Sequence, residues 1–185
     1  GTLEYNFQAG SPNADGALFW GGSFTGTISN ISVKELPGNH ATQSTSTARP
    51  TLQLSGSSYY LDFDGVDDWI AVTFASTEAQ PNTLAAAYKT DVLVNYSTVH
   101  DGVSAADPTL RQSSSLGVQT GSGILNSFAG TQSTDIKVAL SHYNTTSSSF
   151  RLDGADVATG FDAGSTGWSG ATLGGRFFAS PGLFL

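Results

Sequence analysis

The segment YYLDFDGVDDWIAV, residues 59 to 72, contains the best candidates in this sequence for a reactive or metal-binding group. Its four aspartates are Asp62, Asp64, Asp67 and Asp68. Clustered carboxylates can bind a hard cation such as calcium, and two carboxylates at a defined separation can hydrolyse a glycosidic bond. The same residues also favour a tight turn, because Asp accepts hydrogen bonds from nearby backbone amides and Gly65 can adopt a positive φ.

We predict that this cluster is a structural turn between two strands, with calcium binding as the competing interpretation. The residues that would bind calcium are Asp64, Asp67 and Asp68. The spacing differs from that of an EF-hand, which needs Gly at the sixth and Glu at the twelfth position of its loop. Counted from Asp62, the twelfth residue is Thr73. Nothing in the segment indicates a raised pKa, so we do not predict catalysis there.

No other motif indicates an enzyme. The sequence contains neither a Gly-x-Ser-x-Gly nucleophile elbow nor a phosphate-binding glycine loop, and it has no His-Glu-x-x-His. The three histidines lie apart in the sequence, and there is no cysteine to form a disulfide or a thiolate metal site. We therefore predict no catalytic residues and no cofactor other than calcium at the acidic cluster.

Charge and composition exclude some partners and favour strands. The formal net charge is −8, and the seven Lys and Arg residues are scattered singly. Nucleic-acid binding needs a basic stripe, and an anionic membrane attracts basic surfaces, so neither partner is expected. Only 12% of the residues are charged. Because Glu and Lys are rare while Ser, Thr and Gly are abundant, the composition disfavours surface helices and predicts an all-β protein.

Strand signals recur at the spacing of a β-sandwich from residue 57 onward. In FRLDGADVATG, Asp153-Gly154 predicts the positive-φ turn of a hairpin. The predicted strands are 59–63, 69–74, 84–88, 91–96, 115–119, 124–128, 135–144, 149–152, 157–159 and 171–173.

Three regions are predicted from breakers and patterning. Residues 1–36 read as the last strands of a preceding jelly-roll-like module, 37–56 as an extended linker, and 57–185 as the sandwich. Pro37-Gly38-Asn39 and Arg49-Pro50 mark the linker. We interpret the chain as a piece of a longer polypeptide.

Three segments resemble one family in the expected order. YYLDFDGVDDWIAV resembles the opening strands of laminin G-like, concanavalin A-like lectin/glucanase domains, which often begin Leu-x-Phe-Asp-Gly-x-Asp-Asp-aromatic-Val. The matching residues are Leu61, Phe63, Asp64, Gly65, Asp67, Asp68, Trp69 and Ile70. DIKVALSHYNTTSSSFRLDGADV and ATLGGRF are similar to the later strands of that family. The resemblance implies an antiparallel concanavalin A-like jelly roll, whose usual final strand is missing from residues 57–185.

Upstream, GNHATQSTSTARPTL resembles a segment that precedes such domains in structural proteins of tailed bacteriophages and prophages, and FTGTISNISVKEL resembles the closing strand of a carbohydrate-binding jelly roll. The resemblance implies a fibre, spike or capsid decoration protein on the virion surface, with other virion proteins as partners and a homo-oligomeric state such as a trimer. Enzymes of the family that resemble family 16 glucanases carry Glu-x-Asp-x-(x)-Glu, and none of the three glutamates here has Asp two residues later. A glycan-degrading enzyme and a ligand-free assembly spacer are the alternatives.

Adhesion to a host-surface glycan is the first expectation for a ligand. Sugar recognition uses an aromatic side chain beside hydrogen-bonding groups, and the candidates are Trp168, Tyr96 and Tyr143. Core packing competes for each of them, since aromatic residues in strands are often structural. Trp168, in the Gly/Ser-rich AGSTGWSGA, reads as a loop residue and is the best candidate.

Overall fold

The computed structural model describes residues 38–94, 96–104, 106–176 and 180–181. The chain divides into two units between Pro37 and Gly38. The region predicted for residues 1–36 lies outside the described residues. The strands are β1 Thr51–Ser55, β2 Ser58–Asp62, β3 Ile70–Glu78, β4 Asn82–Tyr88, β5 Ser97–Asp101, β6 Thr109–Ser113, β7 Gly117–Gly121, β8 Leu125–Phe128, β9 Lys137–Tyr143, β10 Ser148–Leu152, β11 Ala155–Phe161, β12 Trp168–Leu173, β13 Gly175–Arg176 and β14 Ser180–Pro181. Two 3-10 turns, Ser46–Ala48 and Thr145–Ser147, are the only helical elements among the described residues.

The larger strands form two antiparallel sheets, as the all-β sandwich prediction requires. One sheet has four strands in the order β11-β10-β9-β4, and the other has six in the order β3-β12-β5-β6-β7-β8. Two short two-stranded sheets, β1-β2 and β13-β14, are not hydrogen-bonded to these larger sheets. The prediction of an all-β antiparallel sandwich is confirmed.

The core lies between the two sheets. Alternate residues of each strand point inward, as the two-residue period of a strand dictates. Leu110 and Val118 from the six-stranded sheet, and Tyr143 and Phe150 from the four-stranded sheet, have no exposed surface. The ring of Phe150 stacks on that of Phe128 with centroids 5.0 Å apart. The edge strand β8 of the six-stranded sheet therefore packs against β10 of the four-stranded sheet.

Residues 42–49 are fixed to the start of β3. Thr42 forms a β-bridge with Ala71, and the Gln43 side chain donates a hydrogen bond to the Trp69 carbonyl at 3.0 Å. Arg49 Nε donates to the Gln43 carbonyl at 2.8 Å. Beyond this segment, β1 is a strand paired with β2, although the sequence placed it in an extended linker.

Several predicted strands form close to their expected positions, while β1, β5, β6 and the two-residue strands β13 and β14 were not predicted. Asp153 and Gly154 adopt positive φ values of 53° and 83° at the β10–β11 turn, as predicted. The strand predicted over 91–96 is wrong, because β5 begins only at Ser97. β5 and β6 were not predicted because their sequences, STVHD and TLRQS, lack the apolar residues that indicate a buried strand. Their buried positions include Ser, Thr, His and Gln.

Candidate functional site

The acidic turn, defined as Asp64, Asp67 and Asp68, follows β2 and precedes β3. Gly65 has a φ of 72°, which only glycine adopts without strain. The Asp64 carboxylate accepts hydrogen bonds from the amides of Val66 at 2.8 Å and Asp67 at 3.2 Å. The Asp68 carboxylate accepts one from the Asp64 amide at 3.0 Å. These are the hydrogen bonds expected of an Asp/Gly turn.

The turn joins two strands that belong to different sheets. β2 pairs with β1, whereas β3 pairs with β12, so the expected strand–turn–strand unit is not a hairpin. Gly174 packs against the Phe63 ring and close to the Asp68 carbonyl. The turn therefore packs beside the end of β12. Its aspartates form the turn by which the chain passes from one sheet to another.

The carboxylates of the acidic turn have contrasting environments. The hydrogen bond from the Val66 amide is the main cause that lowers the pKa of Asp64. Burial raises the pKa of Asp68, which is 6% exposed, and the nearby charges of Asp64 and Asp67 act in the same direction. Asp68 prefers its protonated form more than a free carboxyl does, but its burial keeps that proton away from a substrate in solution.

The three predicted calcium ligands do come together. One carboxylate oxygen from each lies within 4.8 Å of the others, and the donor type suits a hard cation. However, Asp64 and Asp68 already accept backbone amides, which are the bonds that hold the turn without a metal. Calcium at this position stays a prediction.

Tyr143 does not lie at a surface. It has no exposed area, and its hydroxyl lies 2.6 Å from Thr120 Oγ1 and donates to the Thr109 carbonyl at 3.1 Å. Burial raises the pKa of its hydroxyl to about 12. From this position the side chain cannot contact a glycan outside the sandwich, so the structure assigns Tyr143 to the core.

Trp168 is the first residue of β12 and not a loop residue as predicted. Its indole is partly buried and packs edge-to-face on His100, with ring centroids 4.9 Å apart, and on Phe74 at 5.8 Å. The indole Nε1 is buried and has no hydrogen-bond partner in the described structure. These contacts show that Trp168 packs within the fold, and its side chain is half-buried.

Tyr96 is the one aromatic candidate with substantial exposure, 38%. It precedes β5 with a φ of 80°, and the Arg111 guanidinium lies 4.5 Å from the centre of its ring. Arg111 Nε donates to Gln119 Oε1 at 2.9 Å, and Gln119 Nε2 donates to Ser127 Oγ at 2.6 Å. We call Tyr96, Arg111, Gln119 and Ser127 the outer polar row.

The outer polar row crosses three neighbouring strands. Arg111 on β6 is in register with Gln119 on β7, which is in register with Ser127 on β8. Their chain neighbours Leu110, Val118 and Phe128 pack in the core. Because side chains alternate between the faces of a strand, the row lies on the face of the sheet opposite the core, where Tyr96 and Ser127 are exposed, Arg111 is half-buried and Gln119 is 3% exposed. Its polar members were missed from the sequence because β6 was not recognised as a strand.

A comparison with known protein families, curated proteins and solved structures finds no match to this chain. Within the described residues, no helix has the length and apolar character needed to cross a membrane.

Proposed function

We propose that this chain is a non-enzymatic module of a virion structural protein, a fibre, spike or capsid decoration protein, that adheres to host-surface glycans. The observation that carries the adhesive part is the outer polar row, in which an exposed tyrosine lies beside a chain of hydrogen-bonding side chains. The virion assignment rests on the resemblance of the sequence to phage structural proteins, and an all-β sandwich is compatible with it.

The outer polar row has the chemistry that a sugar ring requires. A pyranose presents an apolar face of C–H groups and a rim of hydroxyls, so an aromatic ring beside fixed polar groups suits it. Arg111 is held by the Tyr96 ring and by Gln119, so little side-chain freedom remains to be lost on binding. A neutral glycan also avoids repulsion from a chain of net charge −8.

The acidic turn supports the non-enzymatic part of the proposal. A glycosidase needs two accessible carboxyl groups flanking the scissile bond. Here Asp64 accepts two backbone amides, and Asp68 is buried and accepts a third. Their hydrogen bonds explain the cluster without a substrate.

Binding of the whole chain to an array of bacterial surface polysaccharides tests the proposal. Tyr96→Ala should weaken retention on the bound glycan about fivefold or more, since an aromatic contact contributes on the order of 1 kcal/mol. Tyr60→Ala is the matched control, because Tyr60 is 49% exposed but lies on β2. Equal retention of both variants would contradict a glycan site at Tyr96.

Two further measurements separate the rival functions. Release of reducing ends from any bound polysaccharide would show that the chain is an enzyme and overturn the proposal. Electron microscopy of particles carrying the intact protein should place it on the virion surface, where density at a tail tip favours adhesion and density on capsomers favours decoration.

A further inference from the structure

The β1–β2 hairpin is amphipathic and exposed on both faces. In its register Leu52 lies opposite Leu61, and Leu54 lies opposite Tyr59. Because side chains alternate along each strand, these four residues share one side, which we call the leucine face. Their exposed fractions are 65% for Leu52, 58% for Leu54, 70% for Tyr59 and 41% for Leu61.

The opposite side of the hairpin is polar. It presents Gln53 opposite Tyr60 and Ser55 opposite Ser58. The pKa of Lys89, which follows β4, is raised mainly by its hydrogen bond to Asp91, and the Tyr60 hydroxyl adds to the effect. The Tyr60 hydroxyl therefore lies within electrostatic range of Lys89.

The hairpin has the features of a surface that is covered in the working assembly. An isolated two-stranded sheet is marginally stable in water, and neither β1 nor β2 pairs with any other described strand. Every residue of both strands is exposed. A contiguous apolar patch of this kind is typical of an interaction site, not of free surface.

We propose that the leucine face is a homodimerisation surface, packed against the leucine face of a second copy of this chain. Charge favours a second copy. The chain carries a net charge of −8, yet residues 51 to 61 contain no charged side chain, and Asp62 at the end of β2 pairs with Thr51 on the polar side. Two copies can therefore approach through this hairpin with less repulsion than through the acidic surface elsewhere, and no basic partner is needed.

Area also favours a second copy. The four side chains present on the order of 500 Å² of apolar surface. A partner that contributes an equal flat apolar face brings the buried total to about 1,000 Å², the lower limit for a specific interface. A two-fold arrangement supplies such a face by symmetry, because the same patch is then used on both copies. This surface lies outside the outer polar row and requires no glycan.

Sedimentation of the whole chain over a range of concentrations tests this interface. The wild-type protein should dimerise, and Leu54→Asp should weaken the dimer at least about tenfold, because each copy would then bury a carboxylate against apolar side chains. Gln53→Asp is the matched control, since it adds the same charge one residue earlier on the polar side and should leave dimerisation unchanged. Circular dichroism shows whether each variant is folded.

A second measurement does not depend on the stability of Leu54→Asp. The chain has no cysteine, so a single Leu52→Cys substitution provides one thiol on the leucine face. Because the leucine faces would meet in the dimer, the thiol of Leu52→Cys should react with a maleimide more slowly as the protein concentration rises, whereas that of Gln53→Cys should react at the same rate at all concentrations. A wild-type chain that stays monomeric at all concentrations would overturn the proposal, whatever the reactivity of the thiol in the Leu52→Cys variant. Equal dimerisation of Leu54→Asp and wild type would overturn it as well.

Discussion

Acidification should destabilise the folded chain through His100. This residue is 2% exposed, and neither Nδ1 nor Nε2 has a hydrogen-bond partner in the described structure. Its ring packs edge-to-face against Trp168. Burial lowers the pKa of His100 from 6.5 to about 4, although the charge of Asp107 acts in the opposite direction. The imidazole is therefore neutral in the fold and becomes charged far more readily in the unfolded chain.

The direction and size of the effect follow from this difference. Between pH 6.5 and about pH 4 the unfolded chain binds a proton at His100 and the folded chain does not. Stability must fall as the pH decreases across that window, because the state that binds more protons is favoured by acid. The lowering of the His100 pKa from 6.5 to about 4 corresponds to about 3 kcal/mol in the free energy of unfolding, which is a large part of the stability of a typical domain.

Urea unfolding of wild type and His100→Phe across the same pH window measures this contribution. Phe retains a ring against Trp168 but cannot be protonated, and it removes two unpaired buried nitrogens, so its stability at neutral pH should be close to that of wild type. The carboxylates titrate in both proteins, so the difference between them isolates His100. Trp168→Phe is the control, since it keeps the imidazole and should keep the loss of stability in acid. If His100→Phe loses as much stability as wild type between pH 6.5 and about pH 4, the reasoning about His100 is refuted.

Further changes test the packing and the acidic turn. Phe150→Ala removes a ring with no exposed surface and should cost about 3 to 5 kcal/mol in the free energy of unfolding, measured by denaturant titration. Gly117→Ala should destabilise by more than about 2 kcal/mol in the same assay, because its φ is 79° and a new Cβ would collide with the Phe128 carbonyl. Gly130→Ala, with a φ of 78° and open space around it, should cost only about 1 kcal/mol, and equal losses would contradict a steric effect at Gly117. Millimolar calcium should leave the Tm unchanged if the acidic turn is purely structural, whereas a rise in Tm that Asp67→Asn abolishes would show that calcium binds there.

The features that the sequence predicted well depend on local chemistry. Asp153-Gly154 forms its turn because both residues adopt a positive φ, which neighbouring residues alone determine. The aspartates after β2 likewise form a turn by accepting amides two to four residues away. The all-β class followed from composition, which reflects the whole chain and not a particular contact.

The features that the sequence did not predict depend on partners distant in the chain. Tyr143 is buried because Thr120 and the Thr109 carbonyl accommodate its hydroxyl, and both lie more than 20 residues away. The outer polar row needed β6 and β7 to be placed in register, which TLRQS did not indicate. β1 was predicted as linker because it follows the breakers Pro37-Gly38-Asn39 and Arg49-Pro50, and its pairing with β2 was not indicated by the sequence. In each case the pairing of strands decided the outcome.

The position of β12 in the six-stranded sheet has a consequence for how the protein is made. β12 lies between β3 and β5, although about 90 residues separate it from β3 in the sequence. During synthesis β5, β6, β7 and β8 can form a local meander as they emerge from the ribosome, but β3 has no strand partner in its sheet until β12 is made. Closing such a long loop is slow compared with forming hairpins. We therefore expect a nascent chain halted before Trp168 to expose the edges of β3 and β5, and to need protection from aggregation until β12 is translated.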